Sequence, residues 1–221
     1  MEKRIKQIQR PLGSLNLAYS TWAPTKKEED ALSAHHYVHD IRRVDQIWPW
    51  LKHHHGKILA VNSPHSLPPE KYTYEELADC ISIAATAFHS LGVVPGDVVA
   101  LFSENNPRWL IADQGLMRLG ASNAVRGATA PVEELRYILD NSSSVGLIIQ
   151  SAKLWEEINL GEDERKKFKF VLQLEGDPKD NLIGWDEFIE KGLKGSSIDF
   201  SGSLSSVHQM LQKILYLTKQ N

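Results

Sequence analysis

Cysteine is nearly absent: Cys80 stands alone in 221 residues, so no disulfide can form within the chain. That fits a reducing compartment. Long apolar runs are missing too. Stretches such as 98–102 have the length of a buried strand, far short of the ~20 residues that span a bilayer. An excess of either sign of charge is missing as well: 25 basic and 28 acidic residues give a formal net charge of -3. No electrostatic footprint for nucleic acid or an anionic membrane is present. No GxGxxG fingerprint follows a strand. Residues 115–120 have the glycine spacing of a P-loop, but they continue into Ala121-Ser122 rather than Lys-Ser or Lys-Thr, and their interior reads as helix. Histidines cluster at His35, His36 and His39 and at His53, His54 and His55, yet no acid sits at the spacing of HExxH. These clusters read as solvated helix ends, and no metal site is expected.

What remains is ordinary globular material, 42% hydrophobic and 24% charged, enough for one domain or two. Residues 1–39 form an N-terminal arm. Up to Lys27 it holds Lys3, Arg4, Lys6, Arg10 and Lys26 against the single acid Glu2. That composition suits an organelle transit segment as well as a solvated arm. Apolar residues Ile41, Val44, Ile47, Trp48 and Leu51 predict a helix over Asp40–Leu51 with Gly56 as its stop. Lys57–Val61 reads as a short strand, and Pro64, Pro68 and Pro69 mark a loop.

Thr73 opens the strongest helix. Glu76 completes a capping box, Leu77, Ile81, Ala84, Phe88 and Leu91 form one apolar stripe, and Gly92 can close it. Val98–Phe102 is a continuous apolar strand, as expected when both sheet faces are covered. The unit then repeats. Asn106-Pro107 starts a helix ended by Gly120, Ala121–Val125 reads as a strand, and Pro131 opens a third helix that buries Val132, Leu135 and Leu139. Val145–Ile149 is the next strand, Lys153–Ile158 a short helix, Phe168–Leu174 a strand and Trp185–Leu193 a surface helix. This alternation predicts an α/β fold: a partial doubly wound, mostly parallel sheet with flanking helices over 40–194. Residues 195–221 read as a Ser/Gly linker followed by a helix whose apolar stripe is Val207, Met210, Leu211, Ile214 and Leu217.

The series Tyr72-Thr73-Tyr74-Glu75-Glu76-Leu77, then 91–101 with Pro95-Gly96-Asp97, then Glu104-Asn105-Asn106-Pro107-Arg108-Trp109, Gly120-Ala121 and 133–139 resembles the N-terminal part of the AMP-forming acyl-activating ligase superfamily. Asp113-Gln114-Gly115 and Gly120–Gly127 are similar to the plant plastid and cyanobacterial branch that ligates long-chain fatty acids to acyl-carrier protein. The resemblance implies adenylation of a fatty carboxylate by ATP with Mg²⁺, then transfer to acyl-carrier protein or CoA, in a plastid. The charge balance leaves no nucleic-acid partner expected. Such enzymes use a Ser/Thr/Gly loop ending in Pro-Lys-Gly, which does not occur here; 201–206 lacks its threonines and lysine. The expectation is therefore a truncated, inactive member with no catalytic, cofactor-binding or metal residues of its own. The alternative is a non-catalytic module that docks a full-length synthetase or another partner.

Two residues stand at the ligand-binding edge of such a sheet, Glu104 and Arg126, each just past a strand. The plainer reading is that Glu104 caps a turn and Arg126 orders a loop. Cys80, Trp48, Trp50, Trp109 and Trp185 sit among apolar neighbours and read as packing residues.

Overall fold

The structure is a computed structural model that describes residue 26 and residues 41–66, 69–179 and 182–195. The histidines at 35, 36 and 39 and the expected helix beyond 206 lie outside the described residues.

After a short 3-10 turn at Val44–Gln46, helix α1 spans Ile47–His55. It starts later and runs further than the apolar pattern predicts. Pro49 explains the start: in a first turn its missing N–H has no intrahelical partner to lose. Gly56 follows in right-handed geometry, φ -48°, so the chain leaves the helix without a left-handed turn. Strand β1 (Leu59–Ser63) then pairs antiparallel with β2 (Glu70–Thr73), with an irregularity between Leu59 and Val61. Strand β2 was not legible in the sequence, because its four residues carry no apolar alternation.

Helix α2 (Tyr74–Ser90) begins as expected. The Thr73 side chain accepts from the Glu76 N–H, and the Glu76 carboxylate accepts from the Thr73 N–H at 2.8 Å. Gly92 leaves it at φ +85°. Strand β3 (Val98–Phe102) leads to α3 (Pro107–Leu119), whose cap Asn106 accepts from the Trp109 N–H at 2.8 Å and which Gly120 ends at φ +82°. Next come β4 (Ser122–Arg126), α4 (Val132–Ser142), β5 (Gly146–Ile149), α5 (Ala152–Ile158) and the single turn α6 (Glu162–Arg165). Strands β6 (Val171–Gln173) and β7 (Ile183–Gly184) and helix α7 (Trp185–Lys194) complete the described residues.

Five strands form one parallel sheet in the order β4-β3-β5-β6-β7. Both faces are covered, which explains the continuous apolar strands. Val99, Leu101, Ile148 and Leu172 face a core shared with α2, α3 and α7, including Leu77, Ile81, Leu116 and Phe188. Ala100, Phe102, Leu147 and Ile149 face a second core with Leu135 and Leu139 of α4 and Leu154, Trp155 and Ile158 of α5. Helix α7 is more than a surface helix. Phe188 is fully buried, with its ring centroid 4.6 Å from that of Phe88. Gly192 lets α7 approach α2 closely: a Cβ there would lie 2.2 Å from the Ile83 carbonyl oxygen.

Candidate functional site

A parallel sheet gathers the loops after its strands along one rim, and ligands of such sheets bind where neighbouring strands send their helices to opposite faces. Here that place lies between β3 and β5. Helix α3 packs in the first core and α5 in the second. The crevice is occupied by a side chain of the protein itself. Gln150, the first residue after β5, accepts from the Glu104 N–H at 3.0 Å and donates to the Glu175 carboxylate at 3.1 Å. Asn106 donates to the other Glu175 oxygen at 2.9 Å. One step further along the rim, buried Gln173 donates to the Glu175 and Asp177 carbonyls at 2.7 and 2.9 Å, shaping the loop after β6.

The two residues singled out in the sequence come together on this rim, and each is engaged within the fold. The Glu104 carboxylate accepts from the N–H and the hydroxyl of Thr129. Arg126 turns outward and forms a forked pair with Glu134, at 2.7 Å from Nε and 3.2 Å from Nη2. Those hydrogen bonds raise the Arg126 guanidinium above its ordinary value and hold the Glu134 carboxyl below its own. The sequence did not reveal Gln150, Glu175 or Thr129. Their signal was present but weak: Gln150 and Glu175 are each the first polar residue after an apolar strand.

Beside this network lies a cleft of about 360 Å³ lined by His65, Ser66, Glu70, Asn106, Arg108 and Glu175. Arg108 is committed inside it, donating to Glu70 at 3.1 Å and to the Leu174 carbonyl at 2.6 Å. Burial first, and then the neighbouring Glu70 charge, push the Tyr72 hydroxyl up to about 12. A second polar chain ties α1 to α3 and β4. The Trp48 indole donates to Gln114 at 2.8 Å, Gln114 donates to Asp113 at 2.7 Å, and Asn123 donates to the same carboxylate. Asp113 is raised above its ordinary value by burial, against the pull of its two amide donors.

These residues do not fit a nucleotide triphosphate. Glu104 and Glu175 lie on the rim and Glu70 in the cleft beside it, while both nearby guanidinium groups already hold carboxylates. Among the described residues no group of His, Cys, Asp and Glu converges for a metal ion, and no helix is long and apolar enough to cross a membrane.

The family model described as AMP-binding enzyme matches residues 47–197, which include every element from α1 to α7. The chain belongs to the AMP-binding enzyme family. Among curated relatives of this AMP-binding domain, the probable acyl-activating enzyme 16, chloroplastic, of Arabidopsis thaliana is 35% identical over 70% of the chain. A chloroplastic long-chain-fatty-acid–[acyl-carrier-protein] ligase of the same plant is 34% identical over 64% of the chain. The matched regions span only about a fifth of those relatives, 21% and 19% of their lengths. The fold is shared with Mycobacterium smegmatis MbtA at a TM-score of 0.63 and 22% identity, covering 82% of this chain and 33% of that one.

Proposed function

We propose that this chain is an N-terminal portion of a plastid ligase that activates long-chain fatty acids. In that reading the carboxylate would attack the α-phosphate of Mg²⁺-bound ATP and release pyrophosphate, and the thiol of acyl-carrier protein or CoA would then take the acyl group and release AMP. The observation that carries it is the ordered motif series from Tyr72 to Leu139, running from β2 into the parallel sheet and its helices, together with relatives named as acyl-activating and fatty-acid ligases. Residues 40–194 are the family domain in this reading, 1–39 an arm and 195–221 a linker with a terminal helix.

These 221 residues do not adenylate by themselves. Supporting this, the sequence lacks the Ser/Thr/Gly loop with Pro-Lys-Gly, and the sheet rim is closed by Gln150 and lined with carboxylates. Transition-state charge in phosphoryl chemistry needs cations and donors, and those on this rim are already engaged with the chain's own carboxylates. The test is ATP–pyrophosphate exchange with purified chain and palmitate. Background-level exchange is expected, and robust fatty-acid-dependent exchange would overturn the reading. A second role, docking a partner through 195–221, is favoured by the apolar stripe from Val207 to Leu217. Deleting 196–221 with no effect on solubility or partner recovery would remove it.

A further inference from the structure

The opposite, amino-terminal rim of the sheet carries another concavity. It is a cleft of about 310 Å³ lined by Trp155, Arg165, Phe168, Lys169, Val171 and Leu182. That volume is at the small end of ligand pockets, about 300–1,000 Å³. The floor is apolar, with Trp155 and Leu182 buried beneath half-buried Phe168 and Val171.

Arg165 is fixed in this cleft from two sides. Its Nε donates to the Leu160 carbonyl at 2.9 Å, and its guanidinium carbon lies 4.7 Å from the Trp155 ring centroid. The indole contact and the Nε bond together restrict how the group can move. Among the described residues no carboxylate pairs with Arg165. Three cations near it are engaged: Lys166 with Asp163, Lys169 with Asp97, and Arg136 with Glu164. A guanidinium pre-oriented on an indole, with its outer edge open, suits a planar anion that accepts two parallel N–H bonds. The apolar wall beside it suits a hydrocarbon body of modest length.

We propose that this cleft binds a carboxylate carried on a short apolar chain, with Arg165 holding the carboxylate and Phe168 and Val171 flanking the chain. Lys169 adds positive field only, since its ammonium is already shared between Asp97 and the Gly92 carbonyl. The site is on the rim opposite Glu104 and Gln150 and needs no nucleotide, so it stands or falls apart from the ligase reading.

The experiment is isothermal titration of the full chain, without ATP, using octanoate below its micelle concentration, with octan-1-ol, acetate and inorganic phosphate as separate arms. Saturable one-to-one binding of octanoate is expected, with each other probe weaker by at least about tenfold, the size of one charge-assisted hydrogen bond. Arg165→Gln should lose the same factor at an unchanged melting transition. Arg165→Lys keeps the charge without the fork and should fall between; it carries the test if Arg165→Gln melts early. Non-saturable octanoate heats, equal affinity for octan-1-ol or phosphate, or full affinity in both variants would overturn the site.

Discussion

Glu104 and Thr129 clasp two loops of the sheet rim together. One oxygen of the Glu104 carboxylate accepts both the Thr129 N–H at 3.2 Å and its hydroxyl at 3.0 Å. Gly127 leaves room for this: a Cβ there would lie 2.9 Å from the same carboxylate oxygen. Replacing Thr129 by Val keeps the shape and removes the hydroxyl. The expected cost is about 0.5–1 kcal/mol, since the pair is exposed. Urea unfolding of Thr129→Val, Glu104→Ala and the double variant measures the coupling. A coupling of zero would mean the clasp contributes nothing.

Gly192 opposes two effects of comparable kind and different size. Gly→Ala inside a helix normally gains up to about 1 kcal/mol in propensity. Here the new methyl would meet the Ile83 carbonyl oxygen at 2.2 Å, a backbone atom that no rotamer change can move. Overpacking costs about 1–3 kcal/mol or more, so Gly192→Ala should be net destabilising. The neighbouring Leu193, which is 65% exposed, should tolerate Ala with little change. Thermal melts of both variants decide it: a stabilised Gly192→Ala would show that α7 stands off from α2.

The start of α2 offers a cleaner local test. Thr73→Ala removes the side-chain half of the capping box and should cost about 1 kcal/mol. Glu76 is held below its ordinary carboxyl value, chiefly by the Thr73 N–H. Its contribution is present above the usual 4.5 and is lost as pH falls through the lowered value. Ala keeps that N–H, so only the share of the Thr73 hydroxyl, which donates to the Glu76 carboxylate at 3.0 Å, should make the deficit of Thr73→Ala shrink in acid. A deficit independent of pH would place the effect in the bond that the hydroxyl accepts from the Glu76 N–H.

Asp113 has the opposite sign. Its folded value is raised, so the stability tied to its neutral form is fully present below the usual 3.8 and is lost as pH rises through the raised value. Urea unfolding of the native chain against Asp113→Asn, from about pH 4 to pH 7, should show the native chain losing ground as pH rises. The indole of Trp48, two hydrogen bonds away, supplies an optical probe of the same event. A difference flat across that range would remove Asp113 from the pH response.

The helices of this fold were largely written in their ends. Thr73 with Glu76, Asn106 with Pro107, and the left-handed Gly92 and Gly120 each act within a few residues, where sequence order and spatial order coincide. Strands β3 and β5 were equally plain, since burial on both faces demands unbroken apolar residues. Strand β7 was not. Its two residues owe their conformation to pairing of Ile183 with Leu172 and of Gly184 with Gln173, a partner reached without an intervening helix. Likewise Glu104 and Arg126 could be placed on the rim from strand ends alone. Their partners could not, because Gln150 lies 46 residues from Glu104 and contact at that range is set by topology.

Helix α2 lies between α3 and α7, and its spacing from both is set by backbone. Gly192 meets the Ile83 carbonyl, and a Cβ at Gly115 of α3 would fall 2.9 Å from that of Ala84. Side-chain cores adjust to substitution by changing rotamer, whereas these two crossings have nothing to adjust. They act as fixed rulers for the layer, so drift in the sequence should be absorbed at the outward ends of the helices. The distance between helix axes is the quantity this domain can least afford to vary.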